Sequence, residues 1–245
     1  MELANSQSMV ALIVGVTGMV SLSLAEEPHC VAGPWKAYGF TQHPKLAWFP
    51  DSTIDQYIAF DATDANDTLH NLPPVANKVT HVFWVAIQGL ESEEGNIRVN
   101  AIMLANVLNV LKSASPSRLA HITVQTGTQH YMGLVHDPIQ SGHLITHEPP
   151  FHEDLPRLPY PNFYYALEEI IASYTPSISY SVHHSSIIIG ASSRSVYNAL
   201  LTLAIYATIS QHEGYHFDTW VLAIRGSIFV TCQTHVCWLS NTYGV

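Results

Sequence analysis

A doubly wound α/β fold, a parallel sheet with helices on both faces, is predicted by three observations. The chain has 245 residues, 47% of them hydrophobic and 11% charged, which suits one sizeable domain with a real core. Apolar runs rich in β-branched residues recur along it, separated by helices or helix-length connectors, as buried parallel strands are. The first run, Met9-Val10-Ala11-Leu12-Ile13-Val14, leads into Gly15-Val16-Thr17-Gly18, where glycines let a strand turn sharply into a helix.

A helix starting there offers N–H groups and the positive end of its dipole to a pyrophosphate, so the turn predicts a dinucleotide site. Ser21 stands where the usual fingerprint has a third glycine. The helix runs from Ser21 to about Glu27. A Pro/Gly connector, Pro28 to Pro34, precedes a second strand, Trp35 to Phe40, whose tip Thr41-Gln42-His43-Pro44 carries neither the acid that marks NAD nor the arginines that mark NADP. Tyr57 to Asp61 reads as a third strand, Ala65 to Leu72 as a short helix, and Val79 to Ala86 as a fourth strand.

From Glu93 to Ser113 the residues Ile97, Ala101, Leu104, Leu108 and Leu111 recur at helical spacing, with Asn96, Asn100 and Asn106 off that stripe. Leu119 to Gln125 is a fifth strand. Gly133 to Pro161 is a long loop with six prolines, of the length that loops with a function have. Phe163 to Tyr174 resumes a helix. Ser179 to His183 and Ile187 to Ile189 are expected to form one sixth strand around Ser185-Ser186. The last helix, Val196 to His212, sets Leu200, Leu203, Ala204 and Ala207 on one side. Beyond Gly214 no period is legible, which divides the chain into a dinucleotide-binding domain, 1–214, and a divergent tail, 215–245.

Nine Lys and Arg against nineteen Asp and Glu leave a formal charge of −10, which argues against nucleic acid as a partner. Cys30, Cys232 and Cys237 are too few and too scattered for a disulfide framework or a zinc set, and a reducing compartment is the simpler reading. Met9 to Ala25 is apolar enough for a secretory leader, but Glu2 and not a cation precedes it, and the glycines sit where a strand-to-turn junction wants them. The expectation is a cytoplasmic protein with no membrane partner.

The blocks Ala11-Leu12-Ile13-Val14-Gly15-Val16-Thr17-Gly18, Gly33-Pro34-Trp35-Lys36, Thr80-His81-Val82-Phe83-Trp84, Gln125-Thr126-Gly127, His130-Tyr131-Met132-Gly133, Glu153-Asp154-Leu155-Pro156-Arg157-Leu158 and Asn162-Phe163-Tyr164-Tyr165-Ala166-Leu167-Glu168 stand in a telling order. Together they resemble the plant progesterone 5β-reductase and iridoid synthase family of atypical short-chain dehydrogenases, from about Val10 to Gly214. The resemblance implies a Rossmann-like fold and reduction of the carbon–carbon double bond of a small enone or enal by NADPH, with NADH as a possible substitute. It places the tyrosine that holds the developing enolate oxygen at Tyr164, where a positioned donor stabilises charge as it forms. Tyr165 reads as a packed aromatic. Cofactor contacts are implied at Gly15, Thr17, Gly18, Met19, Gln42, His43, Asp61, Ala62, Ala86, Gln125, Tyr164, Ile188 and Ser195.

Four departures accompany the matches. Gln129 stands where the family usually has a lysine; as the second catalytic position it brings hydrogen bonding but no charge to lower the tyrosine pKa. Gln42-His43 replaces paired arginines, and His184 often has a basic counterpart in the family. The matching sequence also stops near Gly214, which implies a truncated member with an incomplete substrate cap. Two functions follow: an NAD(P)H-dependent enone reductase, its activity reduced, or a dinucleotide-binding or degenerate member without turnover.

Other chemistry has weaker claims. His130, His136, His143, His147 and His152 crowd one loop, and His143, His147 and Glu148 have metal-ligand spacing, but nearby prolines oppose a helix there and no metal site is assigned. His183-His184 sits on a strand, one side chain inward. Ser192 and Ser193 lack the glycine-flanked elbow of a hydrolase.

Overall fold

The computed structural model describes residues 8–26, 35–45, 47, 49, 52–133, 145–186, 188–190, 198–215 and 230–231. Six parallel strands form its main sheet: β1 (Met9–Val14), β2 (Trp35–Thr41), β3 (Gln56–Ala59), β4 (His81–Trp84), β5 (His121–Gly127) and β6 (Ser179–Ser185). Their order is β3-β2-β1-β4-β5-β6, so the chain reverses its direction of travel between β1 and β4, and a ligand crevice opens there at the carboxyl ends. The doubly wound expectation holds.

The pleat explains the two layers. Val10, Leu12 and Val14 of β1 face one way and pack with Leu104, Leu108 and Leu111 of α4 (Glu93–Ser113) and Leu167 and Ile171 of α6 (Phe163–Ala172). Ala11 and Ile13 face the other way, against Val20, Leu24 and Ala25 of α1 (Met19–Glu26). Burial on both faces is why β1 reads as an unbroken apolar run. The shorter helices α2 (Ala65–Asn71), α3 (Pro73–Ala76) and α5 (Gln129–Met132) and the longer α7 (Ala199–His212) complete the helices.

Helix α4 begins where Ser92 accepts the Gly95 N–H, and it spans the expected residues. Two of its asparagines do not lie on an outer face: Asn100 is fully buried and Asn96 nearly so. Both bond to the backbone of the loop after β4, and buried amides of this kind are tolerated because they are satisfied.

Two further expectations are corrected. Ile188–Ile189 does not prolong β6; it forms a separate strand, β7, which pairs in parallel with β8 (Val230–Thr231). In α7 the inward positions are Leu203, Ala207 and Ser210, while Leu200 and Ala204 are exposed, as are Leu201, Ile205 and Ile209. Among the described residues no helix is long and apolar enough to cross a membrane.

Candidate functional site

At the end of β1 the chain turns over the tip of β2. Gly15 and Val16 both donate to the Phe40 carbonyl, at 2.8 and 3.0 Å, and Gly18 donates back to the Gly15 carbonyl at 2.9 Å. Gly15 has φ +92°, and a Cβ there would lie 3.0 Å from the Ala86 Cα, so conformation and space both demand glycine. Ser21, in place of the third glycine, is buried and hydrogen-bonds through its hydroxyl to the Gly15 carbonyl. It ties the first turn of α1 to the loop, and the turn keeps its shape.

This turn forms the floor of a cleft of about 1330 Å³ at the reversal point of the sheet. Of the positions expected to touch a cofactor, Gly15, Thr17, Gly18, Met19, Gln42, His43, Ala62, Ala86, Gln125 and Ile188 line it. Asp61 does not: its carboxylate accepts from the Thr63 N–H at 2.8 Å and the Thr63 hydroxyl at 2.7 Å, closing its own turn in an exposed position. Ser195 lies outside the described residues, as do Cys30, Cys232, Cys237, His136, His143, Ser192 and Ser193. No Lys or Arg is among the described residues that line the cleft, while Glu91 is.

The wall from Ile87 to Ser92 was not anticipated. Asn100 Oδ1 accepts from the Gln88 N–H at 2.9 Å, its Nδ2 donates to the Gln88 carbonyl at 2.8 Å, and Asn96 Oδ1 accepts from the Leu90 N–H at 2.7 Å. The signal was two asparagines at helical spacing just after a strand, a pattern with no apolar period to announce it. Asn100→Ala is expected to leave the Gln88 backbone unpaired and to lower stability by about 1–3 kcal/mol. A urea midpoint that does not move would refute that role.

Tyr164 and Gln129 do not line the cleft; they stand beside it, at the end of β5. A Cβ added to Gly127 would lie 3.0 Å from the Tyr164 hydroxyl and 3.3 Å from the Ser185 carbonyl, so the phenol sits over the carboxyl ends of β5 and β6. Asn162 caps α6 by accepting the Tyr164 N–H at 2.9 Å, and its Nδ2 donates to the Gln129 carbonyl at 3.1 Å. Glu93, from α4, accepts the Phe163 N–H at 2.6 Å. The start of α6 is thus held from two sides. Tyr165 is packed, as expected: its hydroxyl donates to the His130 carbonyl at 2.7 Å and accepts the Leu158 N–H at 3.0 Å.

Among the buried polar atoms with no hydrogen-bond partner in the described residues are Gln125 Oε1, of a residue in the cleft lining, and Gln129 Nε2. Unpaired buried amides carry a cost, and at a site they are groups aimed at a ligand. A glycine turn under a helix start, a crevice of dinucleotide size and the Gln125 amide fit a nicotinamide dinucleotide.

No protein-family model matches the chain. Among curated proteins it is 42% identical over 219 residues to an Arabidopsis thaliana 3-oxo-Delta(4,5)-steroid 5-beta-reductase, covering 87% of this chain and 55% of that one. It is 43% identical over 211 residues to a (S)-8-oxocitronellyl enol synthase of Camptotheca acuminata, covering 83% and 52%. The chain belongs to this reductase and enol synthase family. It spans about half the length of the curated relatives it matches.

Solved structures share the fold at low identity. A dTDP-glucose 4,6-dehydratase of Bacillus anthracis in complex with NAD has a TM-score of 0.63 at 14% identity, covering 95% of this chain and 70% of that one. A yeast methylglyoxal/isovaleraldehyde reductase complexed with NADPH has a TM-score of 0.53 at 10% identity, covering 76% and 60%. In this family member the cleft sits where such folds open their crevice.

Proposed function

We propose that the chain binds NADPH in the cleft and reduces the carbon–carbon double bond of a small enone or enal, with Tyr164 as the catalytic donor. The observation that carries this reading is the Tyr164 hydroxyl over Gly127, two residues beyond Gln125, which lines the cleft. When bound, the nicotinamide supplies a hydride to the β-carbon of the substrate. Negative charge then develops on the carbonyl oxygen, and the Tyr164 O–H meets it as a hydrogen-bond donor. Gln129 Nε2 is a neutral donor beside the same strand end, and the proton that completes reduction at the α-carbon comes from solvent. Gly15, Thr17, Gly18 and Met19 hold the pyrophosphate, and Gln42 and His43 face the adenosine ribose.

A second reading, a dinucleotide binder without turnover, is favoured by the absence of Lys and Arg among the described residues of the cleft lining and by Gln129, which brings no charge to the phenol. NADPH titration followed by tryptophan fluorescence, with NADH in parallel, and NADPH oxidation in the presence of 2-cyclohexen-1-one separate the two. Binding with oxidation is the expected result. Binding alone supports the second reading, and no binding of either dinucleotide defeats both.

A further inference from the structure

A cluster of His130, Glu168 and His184 lies outside the cleft, between α5, α6 and β6. His130 Nδ1 is 3.2 Å and His184 Nε2 is 3.6 Å from the same oxygen, Glu168 Oε1, and all three donor atoms lie within 4.8 Å of one another. At zinc–nitrogen and zinc–oxygen bond lengths of about 2.0–2.2 Å, the donors of a tetrahedral site are separated by roughly 3.3–3.5 Å. The two histidine–carboxylate separations already have nearly that spacing. We infer that His130, Glu168 and His184 form a binding site for a borderline divalent cation of the zinc type, with water in the fourth position.

The surroundings favour this over a simple imidazole–carboxylate contact. His184 Nε2 is buried and has no hydrogen-bond partner, although its other nitrogen, Nδ1, lies 2.7 Å from the Tyr131 hydroxyl. An Nδ1–H donated to Tyr131 leaves the Nε2 lone pair for a metal, which is the arrangement that orients metal-bound histidines. The two imidazoles are stacked with centroids 4.2 Å apart, so their edges reach the carboxylate side by side. Arg157 takes the other carboxylate oxygen, Nη2 to Glu168 Oε2 at 3.0 Å, and leaves Oε1 to the histidines.

His130 ligates through Nδ1, so its hydrogen moves to Nε2. A cation here ties α5 and β6 to α6, the helix that carries Tyr164, and the site stands whether or not the chain reduces enones.

The test is titration of the metal-stripped chain with Zn²⁺ against a chromophoric chelator, and with Co²⁺ by visible absorption. One equivalent is expected to bind, with affinity at least about tenfold weaker in His184→Ala and in Glu168→Gln, and unchanged in His147→Ala. Should those variants fail to fold, imidazole nitrogen NMR of the unaltered chain decides. Zinc should then shift one Nδ1 and one Nε2, a mixed pair that scattered surface histidines would not produce. Affinity retained in His184→Ala, no stoichiometric binding, or a different nitrogen pattern overturns the site.

Discussion

On the proposed reading, Tyr164→Phe is expected to lower kcat for enone reduction by about 10²–10³ while leaving NADPH affinity within a few fold, because it removes the donor that meets the developing oxyanion. The ring keeps its place: it packs at 4.2 Å against Phe163 and against the core beneath α6, and its N–H remains bonded to Asn162. The substitution takes away the oxygen over Gly127. Gly127→Ala tests the same geometry from the sheet side. Its Cβ would stand 3.0 Å from that hydroxyl, so the phenol must shift, and kcat should fall with cofactor binding retained. Steady-state kinetics with 2-cyclohexen-1-one and a fluorescence titration of NADPH measure both quantities. A Tyr164→Phe chain that turns over at the unaltered rate would remove the phenol from the chemistry.

What the sequence disclosed, and what it hid, follow from the reach of each signal. β1 was legible because a strand covered on both faces is apolar throughout. α4 was legible to its ends, since an apolar stripe of six turns has a Ser92 cap at one end. The burial of Asn96 and Asn100 was hidden because their partners are backbone groups of a loop, and periodicity counts only side chains.

β7 was misassigned for a related reason. An apolar run in the sequence signals a strand but not which sheet it joins. In α7 almost every residue is apolar or small, so no stripe stands out and the inward face could not be chosen from spacing. At the site, the glycine turn and the strand ends are local features and were placed. The wall from Ile87 to Ser92 and the joining of His130 with Glu168 and His184 depend on segments that meet only in the fold.

Acid is expected to destabilise the fold well above the usual carboxylate range, through histidines of the sheet. Burial, with a smaller contribution from His121, lowers the His81 pKa from 6.5 to about 4. Burial also lowers that of His121, whose ring nitrogens lie 2.8 and 3.0 Å from the Ser179 and Ser181 hydroxyls. The two rings are 6.3 Å apart, and His183 on β6 feels the charge of the same His121. A group with a depressed folded pKa is neutral in the native state, whereas the unfolded chain takes up its proton as pH falls below 6.5. Stability is therefore full above about pH 6.5 and declines as pH drops toward 4. Near pH 5, His81 alone should cost on the order of 1–2 kcal/mol, after allowance for its partial exposure to solvent screening. Urea midpoints near pH 7.5 and pH 5 should separate clearly in the unaltered chain and less in His81→Phe, which keeps an aromatic ring beside Trp35, has nothing to protonate there, and leaves the contributions of His121 and His183. If the midpoints of the unaltered chain coincide, the buried imidazoles exchange their protons equally in both states, and the acid sensitivity assigned to the β4–β5 pair is wrong.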